Sequence, residues 1–200
     1  MPSAFHHPDK VYRDRTVDFF NQHIEAAVQL DCDHMVVSTG FAYLDVDAED
    51  AFGWCAEAMG RIARKAEQEG VTLAVEPFTK YTTHICNEAS QLRRLLRTVN
   101  SPRLMGLADT DVIATTAVDT FSTFLDVIGP ENLGHVHFVD GNPGGHLVPG
   151  DGVLDLDGAL EKLKAIHYTG ALGLEVLDRR YVFAPEAAMR QAMDWYKERI

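Results

Sequence analysis

The chain has no pair of cysteines close enough to form a metal clip or a redox couple. Its three, Cys32, Cys55 and Cys86, are widely separated and odd in number, with no CxxC and no Cys/His zinc spacing. Neither a disulfide framework nor a thiolate-rich zinc site is expected, and reduced thiols in a cytoplasmic protein are the default. No apolar run approaches the roughly 20 residues that span a bilayer. The opening MPSAFHHPDKVYRDR has no apolar stretch of the kind a signal peptide carries, so no membrane partner and no secretory route are expected. Positive charge is also scarce: 18 Lys and Arg stand against 30 Asp and Glu, a net charge of −12. A phosphate-backbone binder needs a basic stripe to release counterions, which argues against a nucleic-acid partner. No GxGxxG follows the first strand-like segment and no Walker sequence is present, so phosphate-cradling nucleotide folds lose ground.

What remains is an acidic chain of 200 residues, 46% hydrophobic and 24% charged, the composition of one globular domain with a sizeable core. An acidic surplus suits hard divalent cations, whose preferred ligands are carboxylate oxygens. Periodicity alternates between helix and short buried strand. Helices are expected over 14–30, from DAED to about Glu69, over 88–98, 116–128, 156–166 and 184–198. Strands are expected at HMVVSTG, VTLAVEP, LMGLADT, LGHVHFVD and LGLEVL, with a Gly/Pro-rich loop, GNPGGHLVPGDG, after the fourth.

Strands joined by crossover helices imply a parallel sheet. An open doubly wound sheet and a TIM barrel both satisfy that pattern, and the placement of polar residues separates them. Glu76, Asp109, His137 and Glu175 sit at or near the C-terminal ends of four consecutive strands, roughly 30 to 40 residues apart, about one βα unit each. In a barrel those ends converge on one mouth. The expected fold is therefore α/β, a TIM (β/α)8-type barrel, as a single domain over 1–200. A full barrel has eight strands and about 250 residues. Five strands are countable here and the chain opens on a helix, so the expected barrel is incomplete, with its three N-terminal strands missing.

Two Glu, one Asp and one His form a donor set of oxygens plus one imidazole. That mix suits Mn²⁺ best, and also Mg²⁺ or Co²⁺, rather than structural zinc. Four protein donors on a six-coordinate ion leave two positions for adjacent substrate oxygens, such as the carbonyl and neighbouring hydroxyl of a ketose. Such binding would acidify the carbon-bound proton between them. Glu76 and Glu175, from the first and last of the four strands, would flank that carbon as an acid/base pair working through a cis-enediolate. Each residue alone also has a plainer reading: Glu76 or Glu175 as ion-pair partner, His135 or His137 as packing, Asp109 as a turn cap, with Asp111 a competing ligand. Asp140, three residues after His137, is expected to orient a ligand.

EPFTKYTTHICN, GLADTD, HVHFVDGN with HLVPGDG, and GLEVLDRRY resemble the xylose-isomerase-like sugar epimerases and isomerases, most closely their ketose 3-epimerase branch with its fructoselysine 3-epimerase-like members. The resemblance runs from about Pro8 to the C-terminus. It implies a metal site of Glu76, Asp109, His137 and Glu175, with the second His of the HxH pair as ligand and the two Glu as acid and base. Three positions depart from tagatose-epimerase-type members: Thr82 replaces a Glu, Val112 a His, and His146 an Arg. Those positions touch sugar hydroxyls in the family, so free tagatose or psicose is a doubtful substrate, a ketose or modified ketose is expected, and His146 becomes a candidate substrate contact. A sugar substrate and a homo-oligomer are the expected partners. Two other readings stay open: a dehydratase or aldose–ketose isomerase on the same scaffold, and a truncated, non-catalytic chain that needs association to fold.

Overall fold

A computed structural model describes residues 4–41, 43 and 45–199. Five strands form one parallel sheet in chain order: β1 (His34–Ser38), β2 (Thr72–Glu76), β3 (Leu104–Asp109), β4 (Leu133–His137) and β5 (Leu172–Gly173). The helices are α1 (Lys10–Gln29), α2 (Ala48–Glu69), α3 (Ala89–Val99), α4 (Thr110–Thr116), α5 (Phe121–Ile128), α6 (Leu156–Ala165) and α7 (Pro185–Lys197). Each strand lies beside the next one in sequence, the arrangement of five consecutive units of a (β/α)8 barrel. β1 and β5 are the edges of this arc. Among the described residues no helix is long and apolar enough to cross a membrane.

Local chemistry explains most element ends. Asp9 accepts the Val11 N–H and starts α1 one turn earlier than periodicity alone predicts. Asp47 accepts from Glu49 and Asp50 at the start of α2, and Gly70, at φ 75°, closes that helix in the left-handed conformation. The helix expected over 116–128 is shorter, α5 alone, and a separate helix that the periodicity did not announce, α4, precedes it. Asp109 caps α4 directly at the end of β3, and Ala117, at φ 55°, breaks the chain before Thr120 and Thr123 form the capping box of α5.

Side-chain alternation along the strands sorts the two faces of the sheet. Leu73, Val75, Ala108 and Val136 join the core that the helices cover, with Ile24, Met59, Ile62, Leu92, Leu95, Phe124 and Leu125. Ala74, Glu76, Leu107, Asp109, His135 and His137 therefore share the opposite, inner face. At edge strand β1 that face is open, and Val36, paired in register with Ala74, is 42% exposed.

Candidate metal centre

Glu76, Asp109 and His137 are the last residues of β2, β3 and β4, and Glu175 follows β5 by two residues. Strand ends of one arc, read on one face, bring these side chains to a common point. One donor atom from each of the four lies within 4.8 Å of all the others. His137 Nδ1 is at the centre, 2.9 Å from Glu76 Oε1, 3.3 Å from Glu175 Oε2 and 3.5 Å from Asp109 Oδ2. Glu76, Asp109 and His137 are buried, while Glu175 remains partly open to solvent. His135 stands on the same strand with its ring edge-on to His137 at 5.3 Å. It lies outside the cluster of donors.

The two oxygens of Asp109 divide the two roles that its sequence position allows. Oδ1 accepts the Asp111 and Val112 N–H groups at 2.8 and 2.7 Å, capping α4. Oδ2 is buried and has no hydrogen-bond partner, although His137 and His146 nitrogens face it at 3.5 and 3.4 Å. An orphaned buried carboxylate oxygen is costly unless something cationic meets it. Three carboxylates converging here make the same demand, visible in the titration of the groups around them. Burial lowers the pKa of His137, but Asp109, Glu175 and Glu76 overcome it and hold the proton up to about 11. His146 behaves alike: burial opposes its charge, yet Asp109, Asp111 and Glu175 raise it to about 12. Hydrogen bonds from those two histidines bring Glu175 down to about 2. Glu76 moves the other way, raised by burial despite His137. The donor chemistry, hard oxygens plus one imidazole around an unpartnered oxygen, fits a divalent ion.

The loop after β4 is organised by two buried aspartates. Asp140 does not hydrogen-bond a member of the cluster, contrary to the expectation from its place in sequence. Its Oδ1 accepts from the Gly141 and Leu154 N–H groups and its Oδ2 from those of Gly150 and Gly152. Asp140 lies beyond the end of β4, so strand alternation no longer aims it at the mouth, and it ties the loop into a closed turn instead. Gly152 belongs to this packing, since a methyl group there would collide with the Asp140 carboxylate and the Gly141 backbone. Asp140→Ala is expected to cost about 3 kcal/mol, because several charge-assisted bonds are lost and their donors are left unpaired. Urea unfolding would measure that loss, and limited proteolysis should show new cleavage within 141–153. Unchanged stability would contradict the assignment.

Asp111, the competing ligand in the sequence, is fully buried and is not among the four converging donors. Its carboxylate accepts from the Gly144 and His146 N–H groups and faces His146 Nδ1 at 2.9 Å. His146 Nε2 then reaches the cluster, 3.4 Å from Asp109 Oδ2 and 3.5 Å from Glu175 Oε2. Sequence reasoning weighed Asp111 and His146 separately and missed that they touch. A cavity of about 300 Å³ opens beside the cluster, lined by Glu76, Glu175, His146, Thr79, Thr82, Val112, Phe41, Phe78 and Leu177. The three positions that depart from the tagatose-epimerase type, Thr82, Val112 and His146, all line it.

A family model described as a xylose isomerase-like TIM barrel matches residues 2–199. Fructoselysine 3-epimerase from Shigella flexneri is 26% identical over 191 residues, 94% of this chain and 68% of that protein. Among solved structures, 3-keto-D-glucoside 4-epimerase from E. coli superposes with a TM-score of 0.87 at 19% identity, covering 98% of this chain and 76% of that one. D-psicose 3-epimerase from Clostridium cellulolyticum H10, solved with D-tagatose, gives 0.85 at 20% identity over 99% of this chain and 76% of that one. At such identities the structural likeness speaks for the fold. Together with a sequence model that spans nearly the whole chain, it places the protein: the chain belongs to the xylose isomerase-like TIM barrel family.

Proposed function

We propose that the chain is a divalent-metal-dependent sugar epimerase acting on a ketose or modified ketose, with Glu76, Asp109, His137 and Glu175 as metal ligands. The observation that carries this reading is the convergence of four donor atoms within 4.8 Å around an Asp109 oxygen left without a partner. When bound there, the ion supplies Lewis-acid polarisation of a ketone oxygen and the neighbouring hydroxyl oxygen. Mn²⁺ suits the donor set best.

The chain's own residues supply the rest. Glu76 comes from β2 and Glu175 from beyond β5, the first and last strands of the cluster, and in this reading they serve opposite faces of the sugar carbon. One carboxylate takes the proton beside the ketone, giving a cis-enediolate. The other returns a proton to the opposite face, which inverts the carbon. Phe41, Phe78, Val112 and Leu177 wall the cavity with apolar surface, which suits sugar C–H faces and keeps water from the carbanion-like carbon. The Phe41 and Phe78 rings lie 6.1 Å apart at its rim. With Thr82 and Val112 in place of larger polar side chains, the cavity favours a ketose that carries a substituent over a free one.

The test is exchange in D₂O. With Mn²⁺, a panel of free and C1-substituted ketoses is expected to incorporate deuterium at the carbon next to the ketone, with the epimer appearing by NMR. Chelation should abolish the exchange and added Mn²⁺ restore it. Absence of exchange across the panel would refute the proposal, and a dehydrated or aldose product would redirect it to the sister reactions.

A further inference from the structure

Three consecutive residues of the loop after β4, Gly144, Gly145 and His146, have φ of 100°, 110° and 48°. The first two are glycines, for which that region is free. His146 is not, and a side chain there sits in the strained left-handed region that persists only when its surroundings impose it. Asp111 imposes it. The carboxylate accepts the Gly144 N–H at Oδ1 and the His146 N–H at Oδ2, 3.0 Å away, while the ring Nδ1 lies 2.9 Å from the same Oδ2 as an ion-pair contact. From the other side the His146 carbonyl accepts the Leu177 N–H at 3.1 Å, two residues past Glu175. Gly141 keeps the approach open, since a methyl group there would collide with the Asp111 carboxylate. The loop is already closed by the four N–H groups that Asp140 gathers, so closure alone does not require Asp111.

We infer that Asp111 is a positioning residue: it fixes the His146 ring so that Nδ1 is spoken for and Nε2 alone faces the substrate oxygens beside Asp109 and Glu175. This rests on the epimerase reading above. The pair is a carboxylate–histidine unit in which the carboxylate selects the nitrogen the histidine presents. Asp111→Asn leaves one acceptor oxygen for three donors and removes the charge. His146→Gly suits the left-handed backbone and leaves a hole the size of an imidazole.

The experiment is a double-mutant cycle on the full chain with saturating Mn²⁺ and the best substrate from the exchange panel. Asp111→Asn is expected to lower kcat/KM by about 10- to 100-fold while the Mn²⁺ dissociation constant stays within about threefold. In the His146→Gly background the same change should cost less than about twofold, the signature of a shared role. Free imidazole should partly restore His146→Gly and fail to restore the double variant. An equal loss from Asp111→Asn in both backgrounds, or full activity in His146→Gly, would overturn the inference. Nitrogen-15 NMR of the His146 ring decides independently of turnover. Wild type is expected to show an Nδ1–H signal shifted by its contact with the Asp111 carboxylate and Asp111→Asn to lose that shift, while identical spectra would sink the idea. Should no ketose exchange at all, the epimerase reading fails and the NMR arm still judges this one.

Discussion

Asp109→Asn is expected to weaken Mn²⁺ binding by about 100-fold or more with little loss of fold stability. The two carboxylate oxygens have separate duties. Oδ1 holds the N–H groups of Asp111 and Val112, and an asparagine oxygen can take its place at that cap. Oδ2, buried and unpartnered, becomes an amide nitrogen, which cannot donate an electron pair to a cation. Even groups that only orient metal ligands cost about 10- to 100-fold when removed, so loss of a donor should cost at least as much. Asp109→Ala provides the contrast, since it removes both duties and should add about 0.5–2 kcal/mol of destabilisation from the lost cap. Isothermal titration with Mn²⁺ and thermal unfolding of the metal-free forms measure the two effects separately. Undiminished affinity in Asp109→Asn would remove Asp109 from the ligand set, and a collapse in its stability would show that the cap, rather than the ion, is what this carboxylate serves.

The same residue shows how much the sequence could and could not reveal. Asp109 was legible both as a turn cap and as a ligand, because a strand-end acid next to a helix start has the geometry for either. Only the structure shows that it does one with each oxygen. Their place at the C-terminal ends of consecutive strands made Glu76, Asp109 and His137 readable as one set, since those ends converge on one mouth, and within the strands side-chain direction follows residue parity. Beyond the strand ends parity loses its meaning. Asp140 looked like a partner for His137 three residues earlier, yet its oxygens satisfy loop N–H groups. The Asp111–His146 contact depends on a loop closing across 35 residues, and nothing local encodes that. The break after α4 was hidden for another reason: the left-handed residue there is Ala117 rather than glycine, so no punctuation marked it. The fifth strand, expected over LGLEVL, pairs only at Leu172 and Gly173. As an edge strand it has a single neighbour, β4, to define its length.

Glu76→Gln and Glu175→Gln are each expected to reduce epimerisation by about 10²- to 10⁴-fold, the usual contribution of a positioned proton carrier. Glutamine keeps the shape and an oxygen donor but cannot shuttle a proton, so at saturating Mn²⁺ the loss reports proton transfer more than ion binding. What separates a two-glutamate mechanism from a single shared base is the exchange seen from each epimer alone. With Glu175 replaced, Glu76 can still remove and return the proton on its own face. One epimer should then exchange with D₂O without inverting, while the other stays inert. Glu76→Gln should reverse which epimer exchanges. This complementary pattern follows from the proposed division of labour, in which Glu76 from β2 and Glu175 from beyond β5, 2.9 and 3.3 Å from His137 Nδ1, each serve one face of the sugar. If one variant abolished exchange from both epimers and the other from neither, a single glutamate would be carrying every proton, and the second would be serving only as a ligand.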